Sequence, residues 1–150
     1  MKIRKALVGD IKGIHQFINY HAKMGQMLPR SLNELYENIR DLYLAEEDGV
    51  VVGVCALHCL WEDLAEIRSL VVAQDARKKG IGVKLVSRCI SEARRLGIKK
   101  IFALTYAPEF FHKIGFQEID KSVLPQKIWG DCLRCHKFPE CDEFAVIREM

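Results

Sequence analysis

"QDARKKGIGVKL", residues 74–85, sets Arg77, Lys78 and Lys79 directly before Gly80 and Gly82 and then runs into a segment of helical periodicity. Leu85, Val86, Cys89, Ile90, Ala93 and Leu96 share one face of that segment, and Gly97 ends it. A helix beginning near Ile81 points its unpaired N–H groups and the positive end of its dipole back into the loop. Glycines at 80 and 82 let an anion approach the backbone where a Cβ would block it, and the three cations add mobile charge. A diphosphate is the natural ligand of such a loop. The alternative is an ordinary basic turn whose glycines serve only its geometry.

Working outward, "LAEIRSLVV" (64–72) and "KIFALTY" (100–106) read as strands on either side of this helix, parallel to each other across it. "KIRKALV" (2–8) suggests a first strand, after which Asp10 can cap a helix carrying Ile11, Ile14, Phe17 and Ile18 at helical spacing. "SLNE" (31–34) has the form of a capping box, so a second, short helix follows. Asp48-Gly49 between two apolar runs is a hairpin signal, because both turn positions tolerate positive φ. "EFFHKI" (109–114) reads as a short helix and "GFQEI" (115–119) as another strand. The order is α+β, a mixed sheet flanked by helices, with no repeat or low-complexity linker.

Composition agrees with a single domain over residues 1–150: 49% hydrophobic residues can bury a core at this length. Twenty-three Lys and Arg stand against 20 Asp and Glu, interleaved rather than blocked, which argues against nucleic-acid binding. The apolar run "GVVVGVCALHCLW" is too short to span a bilayer, and no signal-peptide pattern opens the chain, so a cytoplasmic protein is expected. The six cysteines are then expected to be reduced.

"LVVAQDARKKGIG", following a strand, resembles the acyl-CoA signature of the GNAT (Gcn5-related N-acetyltransferase) superfamily: Arg or Gln, two free positions, Gly, one free position, then Gly or Ala. Arg77, Gly80 and Gly82 supply that pattern, and "PEFFHKIGF" (108–116) is similar to the helix and strand that close the same site. The resemblance covers about residues 2–119. It implies a splayed parallel strand pair and acetyl-CoA as cosubstrate, with the backbone of Leu70, Val71 and Val72 along the pantetheine arm. Arg77, Lys78, Lys79, Gly80, Ile81 and Gly82 would then hold the pyrophosphate. The family often places a tyrosine in the second motif to protonate the leaving thiolate; here the matching cofactor-site position is Phe111, and Tyr106 at the strand end is the substitute.

Acetyl transfer to an amine requires that an ammonium lose a proton and that an oxyanion be stabilised. On strand 64–72, Glu66, Arg68 and Leu70 share a face by alternation, which makes Glu66 the candidate base. The oxyanion would meet a backbone N–H near Val71 or Val72, as the resemblance implies. The segment from Met27 to Gly49 and the tail from Leu124 to Ile147 together look like the short, single-domain form of the amino-acid N-acetyltransferases that make N-acetylglutamate for arginine biosynthesis. That resemblance assigns Arg30 and Ser31 to the substrate carboxylate. Arg68 is a second anchor by placement, since a guanidinium's forked donors match a carboxylate's two oxygens. The partners implied are a small-molecule amine, L-glutamate first, with no membrane and with a homodimer as one expected state; the alternatives are N-acetylation of another amine, such as a polyamine, antibiotic or protein terminus, and a non-catalytic acyl-CoA-binding module.

Cys132, Cys135, His136 and Cys141 make C-x2-C-H-x4-C, enough ligands for tetrahedral zinc. The second pair of a usual zinc module is missing and His136 adjoins Cys135, so no metal is expected, and the thiols are read as buried in a lid over the acceptor site. His112 is read as a surface residue of its helix, and His58 and Cys59 as parts of a core strand.

Overall fold

The computed structural model describes residues 1–124 and 143–150. In chain order these form β1 (Lys2–Lys5), α1 (Ile11–Lys23), α2 (Leu32–Glu37), β2 (Leu42–Glu47), β3 (Val50–Trp61), β4 (Leu64–Val72), α3 (Ile81–Leu96), β5 (Lys100–Thr105), α4 (Pro108–His112), β6 (Gln117–Ile119) and β7 (Phe144–Glu149). The strands make one mixed sheet in the order β1-β2-β3-β4-β5-β7-β6, with β4 and β5 parallel and helices flanking it, the α+β class expected from the sequence. No helix among the described residues is long and apolar enough to cross a membrane. The chain divides into two compact units, Met1–His58 with Ile67–Glu92, and Cys59–Glu66 with Ala93–Met150.

In the first unit the Asp48-Gly49 turn forms as expected, with φ of 50° and 78°, and joins β2 to β3 in an antiparallel pair. Helix α1 buries Ile11, Ile14 and Ile18 completely against Leu42, Leu44, Val54, Ala56 and Val71. Each such side chain contributes roughly 1.5–3 kcal/mol by leaving water. Asp10 precedes α1 but does not cap it. A 3-10 turn over Val8–Asp10 runs straight into the helix, and the Asp10 carboxylate faces back instead, accepting from Leu7 N–H at 2.7 Å and from the Arg4 guanidinium at 2.8 and 3.0 Å. Arg4 also donates to Glu46 on β2, at 3.1 and 3.2 Å. One guanidinium therefore fastens β1 to β2 and to the start of α1.

Helix α3 keeps its expected apolar face, with Leu85, Val86, Cys89 and Ala93 fully buried, except that Leu96 is half exposed where the helix ends at Gly97 (φ 86°). Its first turn lies close against β3. A Cβ built on Gly53 would stand 3.0 Å from Leu85 Cδ1 and 3.2 Å from Ile81 Cγ2, so only glycine lets the helix start sit there without displacing a side chain. Deeper along the same contact, the thiols of Cys55 and Cys89 lie 3.6 Å apart and reduced. The hydrogen bond with Cys89 and complete burial push the Cys55 thiol well above its usual range.

In the second unit, β7 pairs antiparallel with both β5 and β6. This strand, FAVIRE, was not foreseen: its apolar alternation is short and follows the cysteine-rich stretch, where no turn signal separates it. Phe102, Leu64, Leu124 and Ala145 form the core here. Phe111 is also buried, its ring edge-on to Phe110 and Phe116 at 5.2 and 5.1 Å. The zinc-like Cys132, Cys135, His136 and Cys141 cluster, and the lid reading attached to it, lie outside the described residues.

The Arg4 network makes a pH-dependent contribution with a definite sign. Hydrogen bonds from Arg4 hold the Asp10 and Glu46 carboxyls below their ordinary range. Folded-state values below the unfolded ones give stability that is fully present above about pH 4.5 and is lost as pH falls through the folded values. Arg4→Met is expected to lower the melting temperature by a few degrees at neutral pH, with the difference from wild type shrinking below about pH 4. Thermal melts across that range check it, and a difference independent of pH would contradict it.

Candidate active site

The loop between β4 and α3, expected from the sequence to cradle an anion, has an irregular backbone. Residues 74–76 make a 3-10 turn, and Lys78 and Gly80 both take positive φ, 69° and 78°. For Lys78 this is a strained conformation, costing about 1–3 kcal/mol unless the surroundings fix it. Helical bonding begins with Lys84 N–H on Gly80 C=O at 3.1 Å, so the amides of Ile81, Gly82 and Val83 have no partner one turn back and face the loop. Gly80 has open space where its Cβ would be; its φ is the reason for glycine. Lys78 and Lys79 are exposed, and Ile81 anchors the helix start with a side chain 2% exposed. Arg77 is not a mobile charge: its Nε donates to Val72 C=O at 3.1 Å and its Nη2 to Gln26 Oε1 at 3.0 Å. It braces the loop against the end of β4 and the segment after α1.

A pocket in the same unit is lined by Arg30, Glu34, Leu35, Asn38, Asp41, Leu42, Ala56, His58, Arg68 and Ser69, with about 350 Å³ of space between atoms, part of it open to solvent. It brings together the two arginines singled out from the sequence. Arg30 is held by its backbone: Asn19 on α1 donates Nδ2–H to Arg30 C=O at 3.0 Å and accepts the Arg30 N–H at 3.3 Å. Its guanidinium pairs with Glu34 at 3.3 Å. Ser31 has a structural duty, since its Oγ accepts Glu34 N–H at 3.1 Å to cap α2, and it does not line the pocket.

Arg68 enters from β4 beside Ser69, which takes φ 55° within the strand. A left-handed residue interrupts the alternation, so the face shared by Glu66 and Arg68 does not continue regularly to Leu70. Leu70 and Val72 are half-buried and Val71 belongs to the core. Glu66 is buried, 9% exposed, and belongs to the second unit. Tyr106, half-buried, follows β5 in that unit, where Thr105 Oγ1 accepts Ala107 N–H at 2.9 Å. Phe111, expected at the cofactor, lies on the five-residue α4 with its side chain buried and its ring edge-on to Phe110 and Phe116.

Sequence reading missed His58 and Asp41. His58 lines the pocket instead of sitting in the core, with its Nδ1 2.6 Å from Asp41 Oδ2, and Cys59 is exposed. Nothing along the chain marks a pair 17 positions apart. His112 is on the surface, as expected.

The seven-stranded mixed sheet with its parallel β4-β5 pair and flanking helices is of the GNAT type. The chain belongs to the acetyltransferase (GNAT) family, whose pattern it matches over residues 14–116, and it is an acetyl-CoA-dependent N-acetyltransferase. It is 39% identical to an uncharacterised N-acetyltransferase of Chlorobaculum tepidum over 99% of this chain and 96% of that one. An amino-acid acetyltransferase of Mycobacterium tuberculosis is 35% identical over 89% of this chain and 78% of its own. Among solved structures, N-acetylglutamate synthase from Neisseria gonorrhoeae, complexed with coenzyme A and N-acetyl-glutamate, superposes with a TM-score of 0.89 at 31% identity. That match covers 99% of this chain and 34% of the synthase, so the chain spans about a third of that relative.

Gly82→Asp is expected to weaken acetyl-CoA binding by about 10²-fold or more, because a carboxylate would stand where the pyrophosphate approaches the helix start. Calorimetry on the folded variant measures it. Unchanged affinity would show that the loop is only a turn.

Proposed function

We propose that the chain transfers the acetyl group of acetyl-CoA to the amino group of a small amino acid, L-glutamate first, giving N-acetylglutamate for arginine biosynthesis, by direct transfer without an acyl-enzyme and within one catalytic domain. The observation that carries the reading is the convergence of Arg30 and Arg68 on one pocket. Two guanidiniums in a part-sheltered recess suit a dicarboxylate, because their forked donors match a carboxylate's two oxygens. The named amino-acid acetyltransferases among its relatives support the same reading.

Acetyl-CoA supplies an activated acetyl carbon; the chain's residues do the rest. Arg30 and Arg68 hold the carboxylates. The backbone of Leu70 to Val72 lies along the pantetheine arm, with an N–H near Val71 or Val72 for the oxyanion, and Arg77 to Gly82 hold the pyrophosphate. Arg77 acts there as a brace for the loop's shape, given its bonds to Val72 and Gln26. Glu66 takes a proton from the attacking nitrogen, and Tyr106 returns one to the leaving sulfur.

Arg30→Ala and Arg68→Ala are each expected to raise the KM for glutamate about tenfold or more while leaving that for acetyl-CoA nearly unchanged, because the cofactor's phosphates are held elsewhere. Glu66→Gln is expected to lower kcat by about 10²-fold with little change in acetyl-CoA affinity. Steady-state kinetics with glutamate, glutamine, lysine and spermidine test both. A preference for spermidine, together with indifference of both arginine variants, would leave only the family assignment.

A further inference from the structure

We infer that His58, oriented by Asp41, is a second proton acceptor of the reaction, acting on the amino acid's ammonium group as it settles in the Arg30/Arg68 pocket; this rests on the amino-acid reading above. Amide formation removes two protons from the nitrogen of an ammonium substrate. One must leave before the lone pair can attack, and the second leaves once nitrogen is bonded to the acetyl carbon. The C–N bond forms, the C–S bond breaks with its electron pair going to sulfur, one proton finishes on sulfur and the other goes to water. A single carboxylate at Glu66 serves one of these departures. The other calls for a second acceptor.

His58 has the required chemistry and place. It stands on β3 with Nδ1 2.6 Å from Asp41 Oδ2. A carboxylate can only accept, so Nδ1 carries the hydrogen, and Nε2 is the ring nitrogen left to exchange a proton. Asp41 closes the 3-10 turn Ile39–Asp41, whose backbone is tied by Asp41 N–H to Asn38 C=O at 2.9 Å, and this fixes the carboxylate that orients the ring. The side chains of His58 and Asp41 are 27% and 25% exposed: sheltered enough to hold one geometry, open enough to hand a proton to water. The other charged groups around the pocket are Arg30 and Glu34 at the start of α2 and Arg68 on β4. The arginines draw the carboxylates, which leaves the substrate's ammonium as the group suited to Nε2. When the ring takes the proton, Asp41 stabilises the imidazolium, as a carboxylate does for any acid–base histidine it orients. His58 is thus a catalytic residue and Asp41 its positioning residue.

The test is kcat/KM for glutamate against pH, at saturating acetyl-CoA, in wild type, His58→Gln, Asp41→Asn and the double variant, each checked for a wild-type melting profile. His58→Gln is expected to lose about 10²-fold in kcat/KM for glutamate and the acidic limb of the wild-type profile, with the KM for acetyl-CoA unmoved. Asp41→Asn is expected to lose less, and the double variant no more than His58→Gln, since Asp41 acts through the ring. A uniform fall with the pH profile intact, or no fall, while wild type acetylates amino acids, would overturn the role of His58 and leave the amino-acid reading standing. Should His58→Gln not fold, Asp41→Asn alone decides: an unchanged kcat/KM for glutamate overturns the proposal. Wild type that acetylates amines but no amino acid would overturn the reading and the proposal together.

Discussion

The approach of α3 to β3 at Gly53 is the contact on which the cofactor side of this protein depends. Ile81 and Leu85, the two side chains that a Cβ on Gly53 would meet at 3.2 and 3.0 Å, are buried residues of the first turns of α3. Seating them against the strand fixes where the helix begins, and therefore where the amides of Ile81, Gly82 and Val83 point. The chain must then travel from the end of β4 to that point within a few residues. It does so through a 3-10 turn and two positive-φ positions, Lys78 and Gly80, with Arg77 pinned to Val72 and Gln26 so that the loop cannot drift. An anion at this loop would be met by backbone amides first and by side-chain charge second, because Lys78 and Lys79 are exposed and screened by salt.

The pocket lined by Arg30 and Arg68 is built on a different principle. Side-chain bonds fix its parts: the Asn19 amide holds the Arg30 backbone, Asp41 holds the His58 ring, and Ser31 caps the start of α2. Ser69 adds a strained backbone position beside Arg68. Non-glycine residues at positive φ inside strands persist only where the surroundings over-determine them, and such positions cluster where a site needs an irregular edge. Ser69 and Lys78 are the described residues outside the Asp48 turn that take this conformation, one in the pocket and one in the cradle.

Much of this was legible along the chain because it depends on local chemistry. The Asp48-Gly49 turn, the Ser31 cap, the α3 face and the glycines of the loop each announce themselves within a few residues. Asp10 was misread because a helix cap and a partner for Arg4 call for the same side chain, and only the fold brings Arg4 near. Leu96 was misplaced by helical phase at the end of α3, where periodicity is weakest. Strand β7 was missed since its pairing with β5 depends on residues far apart in sequence. The His58 and Asp41 pair escaped for the same reason, and Gly53 passed for an ordinary strand glycine because the side chains it makes room for lie a helix away.

The most direct test of the amino-acid pocket uses the unaltered protein. Thiol release from acetyl-CoA is measured with L-glutamate and with 4-aminobutyrate, which keeps the amine and the distal carboxylate and lacks the carboxylate beside the amine. If Arg30 and Arg68 together read two carboxylates, kcat/KM for glutamate exceeds that for 4-aminobutyrate by about 10²-fold or more, because the analogue forgoes one set of charge-assisted hydrogen bonds. Equal rates for the two would show that the pocket does not read the amino acid's carboxylate.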